Sequence, residues 1–232
     1  DAVCISLDDA GAKKQKEKRE KPGKSSGTFQ KTMPENKRQY VQNTVIHIEK
    51  EDKSYVLNGY GVSRVLKFLI GFLLYNDLWA NTLVFFIDGH SLFSQIIYFF
   101  SGHGRIIIIL DWYHLKKKCA ELLSMALNGK EIRNEVLDEL MPLLWHGLTD
   151  QAVKLLKRLP EDKIRNKKKL GQLTAYLEKN KAMIPAYEIR KKIGLRNSSN
   201  LGEKANELLV SHRQKHNGMS WSRNGSVALA SI

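Results

Sequence analysis

A chain of 232 residues with 42% hydrophobic content can bury a sizeable core, which excludes a disordered or fibrous protein. The formal charge of +14 is more than solubility demands and predicts attraction to a polyanion, either nucleic acid or an anionic membrane surface. Two cysteines, Cys4 and Cys119, with no CxxC pair exclude a disulfide framework and a zinc site of familiar spacing, so a reducing, cytoplasmic setting is the default. The chain begins at Asp1 on the approach to a strand, without an initiator Met or a signal pattern, and reads as a fragment of a longer protein.

Residues 2–8, AVCISLD, form a short β-like run that ends in Asp8 and is followed by Asp9. Residues 12–38 carry ten Lys/Arg against three Asp/Glu, include Gly, Pro and Ser, and have no apolar period. They read as a basic excursion, mobile without ligand. YVQNTVIHIEK and KSYVLNG are β-branched and aromatic runs joined by a charged stretch, which predicts an antiparallel hairpin. Val62 to Trp79 is apolar nearly all round and predicts a buried helix packed on a sheet. Lys67 and Asp77 interrupt it, and its apolar run falls short of the ~20 residues that a membrane-spanning helix needs. LVFFID is a continuous apolar run suited to a strand covered on both faces, and HSLFSQIIYFF after it has helical spacing. RIIIILD repeats the pattern, and KKKCAELLSMALNG reads as a helix closed by Asn128-Gly129.

Beyond residue 115 no β pattern is present. KEIRNEVLDELMPLLWHGL, DQAVKLLKRL, EDKIRNKKKLGQLTAYLEKN and LGEKANELLVSHRQKH are four helical candidates. Residues 151–223 hold eighteen Lys/Arg against six Asp/Glu, so the stretches outside the two basic segments are slightly acidic. An acidic centre between basic flanks suits a metal-dependent phosphodiester enzyme, because acids hold cations while bases hold phosphates. Three antiparallel strands followed by two parallel ones with crossover helices is the element order of an α/β fold of the RNase H-like type, with a mixed five-stranded sheet.

Ligands of parallel sheets gather at the carboxyl ends of strands, where Asp88 and Asp111 both fall. Each acid also has a structural reading: Asp8 or Asp9 as a turn residue beside Gly11, Asp88 as the first residue of an Asp-Gly turn, and Glu203 as a first-turn helix acid. Asp111 and His114, in DWYH, would serve a site as acid and imidazole, or bond one another, or cap the next helix. Cys119 adds no credible zinc ligand set.

The motifs ISLDD, LVFFIDGHSLF, IILDWYHLKKK and GEKANELLVSHRQKHNGMSWSRNGSVALA resemble those of bacterial insertion-sequence transposases of the DDE class, in a group loosely related to Mutator-type transposases. The most specific is the last, with Glu203 fifteen residues before Gly218-Met219-Ser220-Trp221-Ser222. The resemblance implies that Asp8, Asp88 and Glu203 form a catalytic triad holding two Mg²⁺ (or Mn²⁺) ions roughly 4 Å apart for in-line displacement at a phosphodiester. Asp9 competes with Asp8, because strand alternation lets only one face the site, and Asp8 is favoured as the end of the apolar run. Asp111 and His114 are accessory candidates. The implied organisation is a catalytic core over 1–116, a helical insertion over 117–200, and a catalytic helix with its tail over 201–232.

Lys116, Lys117 and Lys118, with Arg213 and Lys215, are candidates for neutralising DNA phosphates. Trp221 is a candidate for stacking on an unpaired base, against the alternative of core packing. Leu201, Ala205, Leu208, Leu209 and His212 mark the face by which the Glu203 helix docks on the sheet. The expected partners are transposon-end and target DNA and further copies of the chain, in a cytoplasmic, nucleoid-associated setting without a membrane. A structure-selective nuclease would hydrolyse DNA without joining a 3′-hydroxyl to a target, and an inactive transposase remnant would bind DNA and be indifferent to loss of Asp88.

Overall fold

The computed structural model describes residues 2–15, 40–199, 214 and 219–230. The strands are β1 (Ala2–Lys13), β2 (Tyr40–Lys50), β3 (Lys53–Tyr60), β4 (Thr82–Ile87) and β5 (Ile106–Leu110). They form one five-stranded sheet in the order β3-β2-β1-β4-β5. β2 runs antiparallel to both β1 and β3, while β1, β4 and β5 are mutually parallel. The sheet is therefore mixed and flanked by helices. The expected hairpin is β2–β3, turned by Glu51 and Asp52, with Glu51 at φ 55.

Helices α1 (Val62–Tyr75) and α2 (His90–Phe99) supply the crossovers into β4 and β5. They cover the sheet face made by Val3, Ile5, Leu7, Ile46, Ile48, Leu83, Phe85 and Ile87, all buried. Phe85 meets Phe100, just past α2, edge to face at 5.2 Å, and Tyr55 on β3 meets Phe72 of α1 at 5.1 Å. Gly59 permits the close approach of α1, since a Cβ there would lie 2.9 Å from Cγ2 of Val65. Expected to be buried nearly all round, α1 instead buries one stripe, Val65, Leu66, Leu69 and Leu73, and leaves Phe68, Leu74 and Tyr75 exposed. Composition shows that a helix is apolar; whether a second layer covers its outer side is a tertiary matter.

After β5 the chain is helical: α3 (Trp112–Ala126), α4 (Lys130–Trp145), α5 (Thr149–Lys157), α6 (Lys167–Asn180) and α7 (Tyr187–Lys192). Their buried stripes continue the sheet's core without a break, through Leu115, Cys119, Leu123, Leu140, Leu144, Leu173, Leu177 and Tyr187. The boundary expected at 116/117 falls inside α3, so core and helical part share an element. Gly129, expected to close α3, precedes α4 with φ 96, a conformation that glycine adopts at little cost. A final helix, α8 (Arg223–Ala230), returns to the sheet, where Nδ2 of Asn43 on β2 donates to Oγ of Ser226 at 2.6 Å.

The first strand is longer than its apolar pattern. β1 passes Asp8 and continues to Lys13, paired with Tyr40 at the start of β2, so residues 12 and 13 of the expected excursion are strand. Residues 16–38 of that excursion lie outside the described residues, as do Glu203, Arg213, Lys215 and the expected docking face of the Glu203 helix.

Candidate active site

The register of the parallel strands aligns the acids. β1 and β4 pair from Ala2↔Thr82 to Ser6↔Phe86, and the same register carried two residues on sets Asp8 level with Asp88. β4 and β5 pair from Leu83↔Ile106 to Ile87↔Leu110, and the Asp111 amide donates to the Ile87 carbonyl at 2.8 Å, so Asp88 is level with Asp111. Asp88 and Asp111 each follow the last residue of their strand, so with Asp8 these positions form a row along the carboxyl edge of β4 and β5. Asp8, which alternates with the buried Leu7 in β1, belongs to the face opposite α1 and α2.

The three carboxylates have different surroundings. Asp88 is exposed at the end of β4, with Gly89 in an extended conformation (φ 168) between it and α2. Asp8 is half-buried within β1, opposite Val45 of β2. Asp111 is only 2% exposed and is the N-cap of α3: its Oδ1 accepts from the amides of Tyr113 at 2.8 Å and His114 at 3.1 Å and from the Ser198 hydroxyl at 3.3 Å. Its Oδ2 accepts from the Ser199 amide. Of the uses open to Asp111, capping is therefore the one realised, and its partner in His114 is the backbone amide and not the imidazole. Asp9 pairs through its backbone with Thr44.

The helical part holds the ends of β4 and β5 from outside. The Tyr176 hydroxyl on α6 donates to the Asp88 carbonyl at 3.3 Å, and the Tyr187 hydroxyl on α7 donates to the Leu110 carbonyl at 2.7 Å. Burial raises both phenols above their ordinary value, and nearby carboxylates add to it, Asp88 and Asp111 for Tyr176 and Asp111 for Tyr187, so both remain neutral donors. Neither tyrosine was marked by the sequence: Tyr176 reads as part of a helical candidate, while Tyr187 falls in the stretch between candidates, where the structure has the unexpected short helix α7. Past α7, the Trp112 amide donates to the Asn197 carbonyl at 3.0 Å, and Arg196 pairs with Glu49 of β2. Residues 196–199 thus link β2 to the start of α3.

A cleft of about 450 Å³ opens beside Asp88, with Gly89, His114, Lys117, Lys118 and Glu121 on the side of the core and α3, and Tyr176, Lys179 and Asn180 on α6. Lys117 lies 6.0 Å from the Tyr113 ring centroid, and Lys118 pairs with Glu121 at 3.5 Å. Lys116, grouped with them in the sequence, lines a different cleft with Trp112, Leu137 and Met141. Three consecutive helical residues point about 100° apart, so they do not share one surface. Cys119 is fully buried in the core, where burial pushes its thiol up to about 12, unlike a metal-binding thiol.

Trp221 lies half-buried beside the far end of β1: its amide donates to the Lys13 carbonyl at 2.8 Å and its carbonyl accepts from the Gln15 amide at 2.9 Å. The indole Nε1 donates to the Gln214 carbonyl at 3.1 Å, an arrangement that favours packing against its own chain over base stacking. Among the described residues, no group of three or more His, Cys, Asp or Glu side chains could hold a metal ion, and no helix is long and apolar enough to cross a membrane. No protein-family model, no curated protein and no solved structure matches the chain.

Hard carboxylate oxygens at the carboxyl edge of a sheet, next to lysines, can bind a divalent cation and a phosphate side by side. Of the row, Asp111 is the least suited to that use, because both its oxygens are engaged by the α3 cap and the 198–199 segment.

Proposed function

We propose that the chain is the catalytic region of an RNase H-like DDE transposase, which cuts and rejoins DNA strands by in-line displacement at phosphodiesters. The observation that carries the reading is the parallel pairing of β1 with β4 up to Ser6↔Phe86, a register that, continued two residues, brings Asp8 level with Asp88 just past β4. The strand order β3-β2-β1-β4-β5 with β2 antiparallel supports the RNase H-like reading, since it matches the element order expected of that fold.

Asp8 and Asp88 supply two of the hard oxygen donors that Mg²⁺ or Mn²⁺ favours, and Glu203 is the third in this reading. When bound, such an ion contributes positive charge that eases deprotonation of a water or 3′-hydroxyl and offsets charge on the leaving oxygen. The chain's other residues orient the substrate. Lys117 and Lys118 flank Asp88 and neutralise phosphates, while Tyr176 fixes the Asp88 backbone from α6. Transposon-end and target DNA, and assembly of several copies on DNA, belong to the same proposal.

Two assays test it: nicking of supercoiled plasmid by the chain with Mg²⁺ or Mn²⁺, and joining of a labelled 3′-hydroxyl oligonucleotide to that plasmid. Both activities are expected, and both should disappear in Asp88→Ala while DNA binding persists. Nicking without joining points to a nuclease. Metal-independent nicking, or full activity in Asp88→Ala, overturns the reading.

A further inference from the structure

We propose that the cleft between α3 and α6 is a phosphate-binding groove for a DNA strand, and that Lys179, contributed by the helical part, is one of its contacts. The inference rests on the nucleic-acid reading above and extends it, because it makes the α4–α7 region a wall of the substrate site and not an appended module.

Three observations converge. The cleft is two-sided: α3 lies on one wall with Lys117 and Lys118, and α6 on the other with Lys179. Lys179 is exposed, and its neighbour Glu178 pairs with Lys157 at 2.8 Å. Asp88 sits at the end of the same cleft, so a strand whose phosphates lie between the lysines would bring a phosphodiester to the acid row. Behind the cleft, Asn180 is 1% exposed, its Nδ2 donates to the Tyr176 carbonyl at 2.7 Å, and its Oδ1 has no protein partner. This acceptor suits an ordered water and not the phosphate itself, since a phosphodiester has no hydrogen to donate. The groove is rigid on its α6 side, because Leu173 and Leu177 anchor that helix in the core and the Tyr176 hydroxyl ties it to Asp88.

The alignment of lysines across two helices fits a phosphate better than a carboxylate metabolite, since phosphates repeat along a strand and are held by point charges on flexible stems. Lys116, on the other side of α3, provides an internal control.

The test is fluorescence anisotropy of a short labelled DNA duplex with the full chain and with Lys117→Gln, Lys179→Gln and Lys116→Gln, across a salt series in EDTA. In Lys117→Gln and Lys179→Gln the slope of log affinity against log salt should each become shallower by about 0.9, as for loss of one phosphate contact, with Lys116→Gln unchanged. Unchanged slopes in Lys117→Gln and Lys179→Gln overturn the groove. Metal is absent, so the outcome is separable from catalysis: shallower slopes in a chain that never nicks plasmid support the groove and sink the transposase reading. A charge-preserving Lys179→Arg should restore the parental slope; failure to do so overturns the assignment of Lys179.

Discussion

Asp88 and Asp111 invite direct comparison, because the chain builds them alike and uses them differently. Each ends an apolar parallel strand, they are level on adjacent strands, and a helix follows each. At β5 the helix starts on the very next residue, so the Asp111 carboxylate turns back onto the amides of Tyr113 and His114 and becomes a buried cap. At β4, Gly89 intervenes, α2 has no side-chain cap, and Asp88 stays exposed in a lysine-lined cleft. One residue of spacing separates a buried capping carboxylate from an exposed one.

The sharpest break of this comparison is a pair of alanine substitutions. Asp88→Ala should reduce metal-dependent plasmid nicking to less than about one hundredth, since even groups one shell away from a metal cost 10- to 100-fold, while leaving stability within about 0.5 kcal/mol. Asp111→Ala should do the reverse in the first instance, destabilising the fold by about 2–4 kcal/mol through loss of a cap and an orphaned Ser199 amide. In a thermal melt that is a fall of roughly 5–15 °C for a chain of this size. If Asp88→Ala melts early and Asp111→Ala does not, the two roles are reversed.

A smaller effect is expected at Tyr176. Removing the hydroxyl in Tyr176→Phe eliminates one bond to the Asp88 carbonyl and should cost about 0.5–1.5 kcal/mol, with kcat for nicking falling while KM holds. A change in KM alone would mean that Tyr176 serves binding and does not position Asp88. The smallest effect belongs to Gly89. Its φ of 168 is extended backbone that any residue adopts, and a Cβ there meets nothing within 4 Å. Gly89→Ala should therefore melt within about 0.5 kcal/mol of the parent, and a larger loss would show that the gap before α2 depends on glycine itself.

Much of the fold was legible because its signals are local. The β2–β3 hairpin, the apolar runs of β4 and β5 and the stripes of α4 to α6 each follow from side-chain period within one segment. The extension of β1 was not legible: DAGAK has no β pattern, and it is strand because Thr44 through Tyr40 of β2 pair with it from a distance in sequence. The exposed apolar residues of α1 were missed for a related reason, since composition does not reveal how many layers enclose a helix. Helical periodicity implies that Lys116, Lys117 and Lys118 cannot all share one surface, but only the packing of α3 shows that Lys116 is the one that faces another cleft.

By itself, the sequence determined the β2–β3 hairpin, the runs of β4 and β5 and helices α1 to α6, and that acids stand where two parallel strands end, because burial pattern and chain-terminating polarity act over a few residues. Only the tertiary structure decided that Asp8, Asp88 and Asp111 are level, that Asp111 is a cap, and that α6 brings Tyr176 and Lys179 to Asp88. The reason is physical. Strand register is fixed by pairing between distant segments, and the partners that define a carboxylate's role come from far away, as does Ser199, 88 residues beyond the Asp111 it engages.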